Sequence, residues 1–339
     1  MWYVTLRAQA TCCDSRTRAP QCSTSQVTQT LSLVVYPAIG YAVAKGLWQT
    51  KLNEVLVSGL VVCLSTSTTA STNVVFTKQA GGNEALSLVN AILGNVIGIF
   101  LTPAWIKTYL AGHAGGTASV PYSAVIQQLV ITVVAPLIVG NAAQHYLPSA
   151  VAAINKRINL SKLSSVMILL LVWSTFSNTF AKHVTADGGS VVALVALTLG
   201  FYCVNTAFAM WLPISCPPVR RFLRASEADA VAMAMVAGTK TVALGIPIIT
   251  AIFAHAPQQG LLSLPLIMYH AEQILLGNFL TEPLKRWVKR CEQRRVTENR
   301  DGGELEGTEA TTASGNSIDA TPAVHGHHDM EDGHANGRT

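Results

Sequence analysis

The chain is poor in charge. Only 12% of its 339 residues are Asp, Glu, Lys or Arg, while 50% are hydrophobic and the mean hydropathy is +0.37. A soluble domain carries about 25% charged residues. The scarcity is also uneven. Met1–Glu282 holds 15 Lys/Arg and 8 Asp/Glu, whereas Pro283–Thr339 holds 8 and 10. The first 282 residues are too apolar for a water-facing surface, which excludes a soluble enzyme, a secreted disulfide domain and a nucleic-acid-binding module. The seven cysteines (Cys12, Cys13, Cys22, Cys63, Cys203, Cys216 and Cys291) are scattered and fit neither a zinc site nor a disulfide framework. The start lacks the basic n-region of a signal peptide, so the first apolar span is expected to serve as the membrane address. No nucleophile–base set, phosphate loop or metal motif is present. The chain reads as a non-enzyme, with no cofactor, no metal and no nucleic-acid partner expected.

What is present is a series of apolar runs of about 20 residues, the length that crosses a hydrocarbon core. Eight can be read, near 27–47, 54–77, 84–106, 121–146, 163–182, 190–214, 229–254 and 261–282. They are continuous rather than alternating, so they predict helices rather than barrel strands. The chain thus divides into a polar segment over 1–26, a transmembrane domain over 27–282 and a disordered cytoplasmic tail over 283–339, the last from its polar, low-apolar composition. With the tail in the cytoplasm, 18 Lys/Arg fall inside and 4 (Lys45, Lys51, Lys107, Lys182) outside. That bias follows the positive-inside rule and puts both termini in the cytoplasm. The sequon Asn159-Leu160-Ser161 then lies inside, where it stays unglycosylated. Trp48, Trp105, Trp211 and Trp287 sit near span ends and read as interface anchors; Trp173 lies within a span.

Two spans are poor lipid-facing helices. The second contains Ser65–Asn73, STSTTASTN; the seventh contains Ala237–Pro247, AGTKTVALGIP, with Lys240 in its middle. Both predict broken helices, tolerable only against protein or a cavity. They take equivalent second places in two trios of spans with opposite orientation, the sequence pattern of an inverted-repeat transporter site.

Three segments carry a resemblance: Thr66–Pro103 with its TKxxGGNEA run, Ala237–Ile248 with GTKxxxLGIP, and Leu262–Asn278 with LPLxxYHxxQILLG. Over about residues 27–290 the chain resembles the bile acid:sodium symporter superfamily, within it the subfamily of sodium/bile acid cotransporter 7 and the fungal regulators of calcium uptake. The resemblance implies an all-α polytopic membrane protein: an inverted-repeat fold of ten helices, in which a panel part moves against a core with two crossed, unwound helices. The eight spans match family helices three to ten. The first two are expected to be missing, as in a truncated or mis-spliced reading frame; the alternative is a protein that lacks part of one moving element.

The resemblance also implies a site. Thr69, Ser71, Thr72 and Asn73 match the first crossover, where oxygens bind sodium, with Ser87 and Asn90 near further ligand positions on the next helix. The next ligand position aligns to Ala91, which supplies no oxygen. The plain alternative is that these hydroxyls bond back to their own helices. At the second crossover, Thr239, Lys240 and Thr241 stand where sodium-coupled relatives carry a carboxylate followed by Gln; Val236 occupies the acid's place and Lys240 that of the Gln. A charge inside a span marks a functional site. The expectation is that the Lys240 ammonium replaces a sodium ion and donates to oxygens of the first crossover; the alternative is a lysine that snorkels to an interface. Tyr269, His270 and Gln273 match the subfamily run. Glu272 beside them pairs with Lys240, carries protons, or faces a vestibule. His270 is a pH gate or a neutral hydrogen-bond partner. The expected function is an organic-anion carrier without normal sodium coupling; the alternative is a transporter-derived regulator limiting calcium influx, with a calcium channel or transporter as partner. The substrate, small molecule or ion, is not named by the residues. Membrane lipid is the other expected partner. The plasma membrane is the expected location, the Golgi or another endomembrane the alternative. The histidines at 325, 327, 328 and 334 read as polar tail rather than a metal site.

Overall fold

The computed structural model describes residues 18–111, 122–158, 187–253 and 258–314, with scattered helical positions between 163 and 177. The described residues are all-helical. The chain runs through α1 (Arg18–Thr30), a π-helical turn (Leu31–Val35), α2 (Tyr36–Leu47), α3 (Glu54–Ser65), α4 (Ser71–Gln79) and α5 (Glu84–Tyr109). Then follow α6 (Tyr122–Leu129), a second π-turn (Val130–Val134), α7 (Ala135–Tyr146), α8 (Pro148–Ile158), α9 (Gly188–Ser215), α10 (Pro217–Leu223), α11 (Glu227–Gly238), α12 (Val242–Ile252) and α13 (Gln259–Ser314). Among the described residues, four helical stretches are long and apolar enough to cross a bilayer: Ser23–Leu47, Glu84–Tyr109, Gly188–Ser215 and Glu227–Ile252.

Local chemistry explains the boundaries. Asn53 accepts from Val55 N at 2.9 Å and opens α3; Asn83 accepts from Leu86 N at 3.1 Å and opens α5. Ser226 and Asp229 form a reciprocal capping box at the start of α11. Each π-turn directly precedes a residue followed by proline, Tyr36-Pro37 and Ala135-Pro136. Proline has no N–H for the preceding turn and its ring crowds the carbonyl four residues back, so the helix widens there.

α3 and α11 form the centre. Every residue from Val55 to Ser65 and from Ala230 to Gly238 is buried. A helix apolar all round must be enclosed by others. In lipid the cohesion is close packing rather than water release. Gly98 of α5 illustrates it: a Cβ there would stand 2.7 Å from the Ser67 Cβ.

The GGNEA run has a structural use. Gly81 has a positive φ of 72°, which glycine takes without a Cβ clash. Asn83 then pins this turn to the start of α11, its N–H bonding Ala228 O at 3.0 Å and its Nδ2 bonding Asp229 Oδ1 at 2.8 Å.

Several expected boundaries differ. The first helix reaches back to Arg18, inside the segment read as polar; its threonine hydroxyls bond back to the helix's own carbonyls, as with Thr28 Oγ1 on Thr24 O at 2.7 Å. The fourth span is interrupted by its π-turn and followed by a separate helix, α8. The final helix passes Glu282 and runs to Ser314, so helix continues where composition placed a disordered tail. Leu284 and Val288 explain the first part of that extension: they are buried against Phe76, Val231 and Met235. Residues up to Arg290 form one compact unit, and Cys291 onward a separate one. The fifth expected span lies largely outside the described residues, and the tail histidines wholly so.

Candidate functional site: two helix breaks held face to face

Both expected breaks are present. α3 ends at Ser65 and α4 begins at Ser71; α11 ends at Gly238 and α12 begins at Val242. Thr66, Thr239 and Thr241 are extended, and the two breaks meet. Thr241 N donates to Ser67 O at 2.9 Å, a single sheet-like bond between them. Four helix ends therefore converge: the carbonyl ends of α3 and α11, which are electronegative, and the amide ends of α4 and α12, which are electropositive.

Side chains close this junction. Thr68 Oγ1 donates to Val236 O at 2.7 Å and lies 2.8 Å from Thr239 Oγ1. Asn73 Nδ2 donates to Thr68 Oγ1 at 2.6 Å, and Thr239 Oγ1 lies 2.8 Å from Asn73 Oδ1. Thr68, Asn73 and Thr239 thus form a closed, buried ring of mutual hydrogen bonds. Each of the three side chains thus finds a hydrogen-bond partner within the ring.

An amide from the following helix holds each break. On the first side, Asn95 of α5 donates from Nδ2 to Thr68 O at 3.0 Å and accepts from Ser67 Oγ at 2.9 Å. On the second side, Gln273 of α13 accepts from Lys240 N at 2.8 Å and donates to Lys240 O at 2.7 Å. Tyr269 OH donates to Gly238 O at 2.6 Å, satisfying a terminal carbonyl of α11. His270 Nδ1 lies 2.7 Å from Gln273 Nε2 and 3.4 Å from Lys240 O.

Lys240 has no exposed surface. Its ammonium donates to Ser32 O at 2.9 Å and to Thr66 O at 3.0 Å. It does not snorkel. Thr66 belongs to the first break, and Ser32 to the π-turn of the first span. Neither Thr72 nor Asn73 supplies the oxygens. The π-turn frees these acceptors: its widened bonding leaves Ser32 O for Lys240, while Leu33 O accepts from Trp105 Nε1 at 2.7 Å. Trp105 is thus tied into the fold, stacked 5.1 Å from Tyr109, beyond the interface role read for it.

Other expected residues fall away from the centre. Ser71 is exposed and Thr72 half-buried, whereas Thr69 is buried beside the ring residues. Asn90 receives Gln29 Nε2 at 3.1 Å on its side-chain oxygen and 2.7 Å on its carbonyl. Ser87 Oγ is buried with no hydrogen-bond partner among the described residues. Glu272 makes no ion pair with Lys240 among the described residues; its Oε1 accepts from Thr198 Oγ1 at 3.0 Å. Gln29, Ser32, Asn95 and Thr198 carry no obvious sequence signal, since nothing in their own helices marks which polar residue faces a distant backbone. A groove of about 480 Å³ between α2 and α9 is apolar apart from Tyr36 and Asn205 in its lining.

The arrangement holds two helix breaks against each other; among the described residues it has no set of reacting groups. Similar proteins agree with this. The chain is 33% identical over 261 residues to sodium/bile acid cotransporter 7 of Danio rerio, covering 77% of this chain and 74% of that protein. It is 30% identical to sodium/bile acid cotransporter 7 of Mus musculus over 261 residues, 77% of this chain and 74% of the other. It is 29% identical to solute carrier RCH1 of Candida albicans over 296 residues, 76% and 72% of the two chains. The family model that matches residues 16–286 describes transporters, not enzymes. A multi-pass membrane chain with two helix breaks joined at its centre, it belongs to the SBF-like CPA transporter family.

Proposed function

We propose that this protein is a secondary carrier of an organic anion in the plasma membrane. It works by alternating access on an inverted-repeat fold, and the Lys240 ammonium takes the place of a coupling sodium ion. One observation carries the reading. The ammonium donates to Ser32 O and Thr66 O, at 2.9 and 3.0 Å, fully buried. In carriers with broken helices, unwound carbonyls and helix C-terminal ends hold the coupling cation. A lysine there places an amino group, tethered to the chain, between the same carbonyls, and so supports a cycle with no sodium to bind or release.

The test is uptake of organic anions by cells expressing the full chain, with external sodium replaced by choline or potassium, and cytosolic calcium recorded in parallel. Uptake is expected to be unchanged by the replacement. Uptake that rises steeply with sodium overturns the substitution. Absent uptake together with raised calcium influx in a deletion strain overturns the carrier reading in favour of a regulator that limits calcium entry.

A further inference from the structure

We infer that α8 (Pro148–Ile158) lies in the plane of the cytoplasmic membrane surface and binds anionic lipid headgroups through Lys156 and Arg157. The inference is independent of what is carried. α7 ends at Tyr146, and the chain turns at Leu147, whose φ of −129° and ψ of 53° are not helical. Pro148 then opens the new helix, as proline at a first helical position does. No residue of α8 is buried.

The exposed surface is patterned. Leu147, Val151, Ile154 and Ile158 recur at spacings of four, three and four, which aligns them on one face. Leu147 is 59% exposed, Ile154 47% and Ile158 53%. Lys156 lies on the opposite face and Arg157 on its flank. Among the described residues no acidic side chain pairs with either. The preceding helix turns Ile138 and Val139 outward, 62% and 67% exposed, and ends at the exposed Tyr146. That combination is a lipid-facing helix with an aromatic at the interface. α8 therefore starts at the membrane boundary.

An apolar stripe opposed by basic side chains is the pattern of a helix embedded at headgroup level. The stripe enters the acyl boundary, and the long basic side chains reach the phosphates. The positive-inside bias puts α8 on the cytoplasmic side, where anionic lipids concentrate. A second protein copy fits less well. Eleven residues span about 16 Å of helix, and one such stripe is far smaller than the roughly 800 Å² per partner of a stable interface.

The test uses the full-length protein in vesicles of phosphatidylcholine, with or without phosphatidylserine in both leaflets. A fluorescent amino acid is placed at position 154 or at position 149 on the opposite face. Emission from 154 is expected to be blue-shifted and quenched by brominated acyl chains, and emission from 149 to be water-like. Phosphatidylserine is expected to raise quenching at 154 about twofold, a gain removed by high salt and by Lys156→Gln with Arg157→Gln. Water-like emission at 154 overturns the placement. Blue-shifted emission without quenching by brominated lipid overturns it in favour of a protein contact. Quenching indifferent to phosphatidylserine and to both substitutions overturns the headgroup recognition.

Discussion

The Gln273 carboxamide takes both backbone groups of Lys240, accepting from its N–H at 2.8 Å and donating to its carbonyl at 2.7 Å. An unwound residue in a membrane has lost its helical bonding partners, and each orphan group costs free energy unless another group replaces them. Gln273 acts as a substitute peptide. The same pair of bonds points the Lys240 side chain across the junction toward Ser32 and Thr66.

Gln273→Leu is therefore expected to destabilise the fold by about 2–4 kcal/mol, since two buried backbone groups lose their partner. Thermal unfolding of the detergent-solubilised protein checks this. Asn278→Ala, an exposed residue that bonds only its own helix at Ile274 O, is the control and should change stability little.

Lys240→Met keeps most of the aliphatic stem and removes the ammonium. The carbonyls of Ser32 and Thr66 are then left facing each other, at about 1–3 kcal/mol for each unsatisfied group. Lost activity or lost folded protein is the expected outcome. Lys240→Arg keeps the charge but brings a planar fork into a compact site, so it should rescue poorly. Lys240→Gln alone should not create sodium dependence, because Val236 carries no charge. Val236→Glu with Lys240→Gln restores both polar groups, and sodium titration of uptake reads whether dependence returns.

Gly238→Ala tests the contact between α9 and α11. A Cβ at 238 would overlap the Thr206 hydroxyl and approach the Thr206 Cα to 3.2 Å. Overpacking of this kind costs about 1–3 kcal/mol. Adding Thr206→Ala removes the side-chain part of the clash. A double-mutant cycle on unfolding temperature should therefore show positive coupling between the two positions.

Orientation can be read chemically. A cysteine at Lys51, an exposed residue between α2 and α3, should react with a membrane-impermeant maleimide on intact cells above the background of the parent protein. A cysteine at Arg221 should react only after permeabilisation, because the basic α10 belongs on the cytoplasmic side. Reversed labelling would invert the topology.

Both breaks were legible in the sequence because each departs from what a lipid-facing helix tolerates: Ser65–Asn73 by polarity, Ala237–Pro247 by Gly, Pro and a buried lysine. Gln273 and Tyr269 were legible only as part of a family run. The continuation of the last helix beyond Glu282 was not legible because Leu284 and Val288 look isolated among charges. They become a helix face only when Phe76 and Val231 are seen opposite them.

Charge scarcity, span length and the Lys/Arg bias are properties of the chain against its solvent, so composition alone settles that this is a multi-pass membrane protein and points to where its helices break. Which oxygens meet the Lys240 ammonium is a different kind of question. Both acceptors are backbone carbonyls, which every residue carries and no sequence pattern marks. Ser32 lies 208 residues away, and its carbonyl is free only because the helix widens before Pro37. Asn95 and Gln29 likewise gain meaning only from the backbones brought against them. Tertiary packing decided these partners, because an orphan group in a dry interior takes whichever donor the fold delivers within about 3 Å.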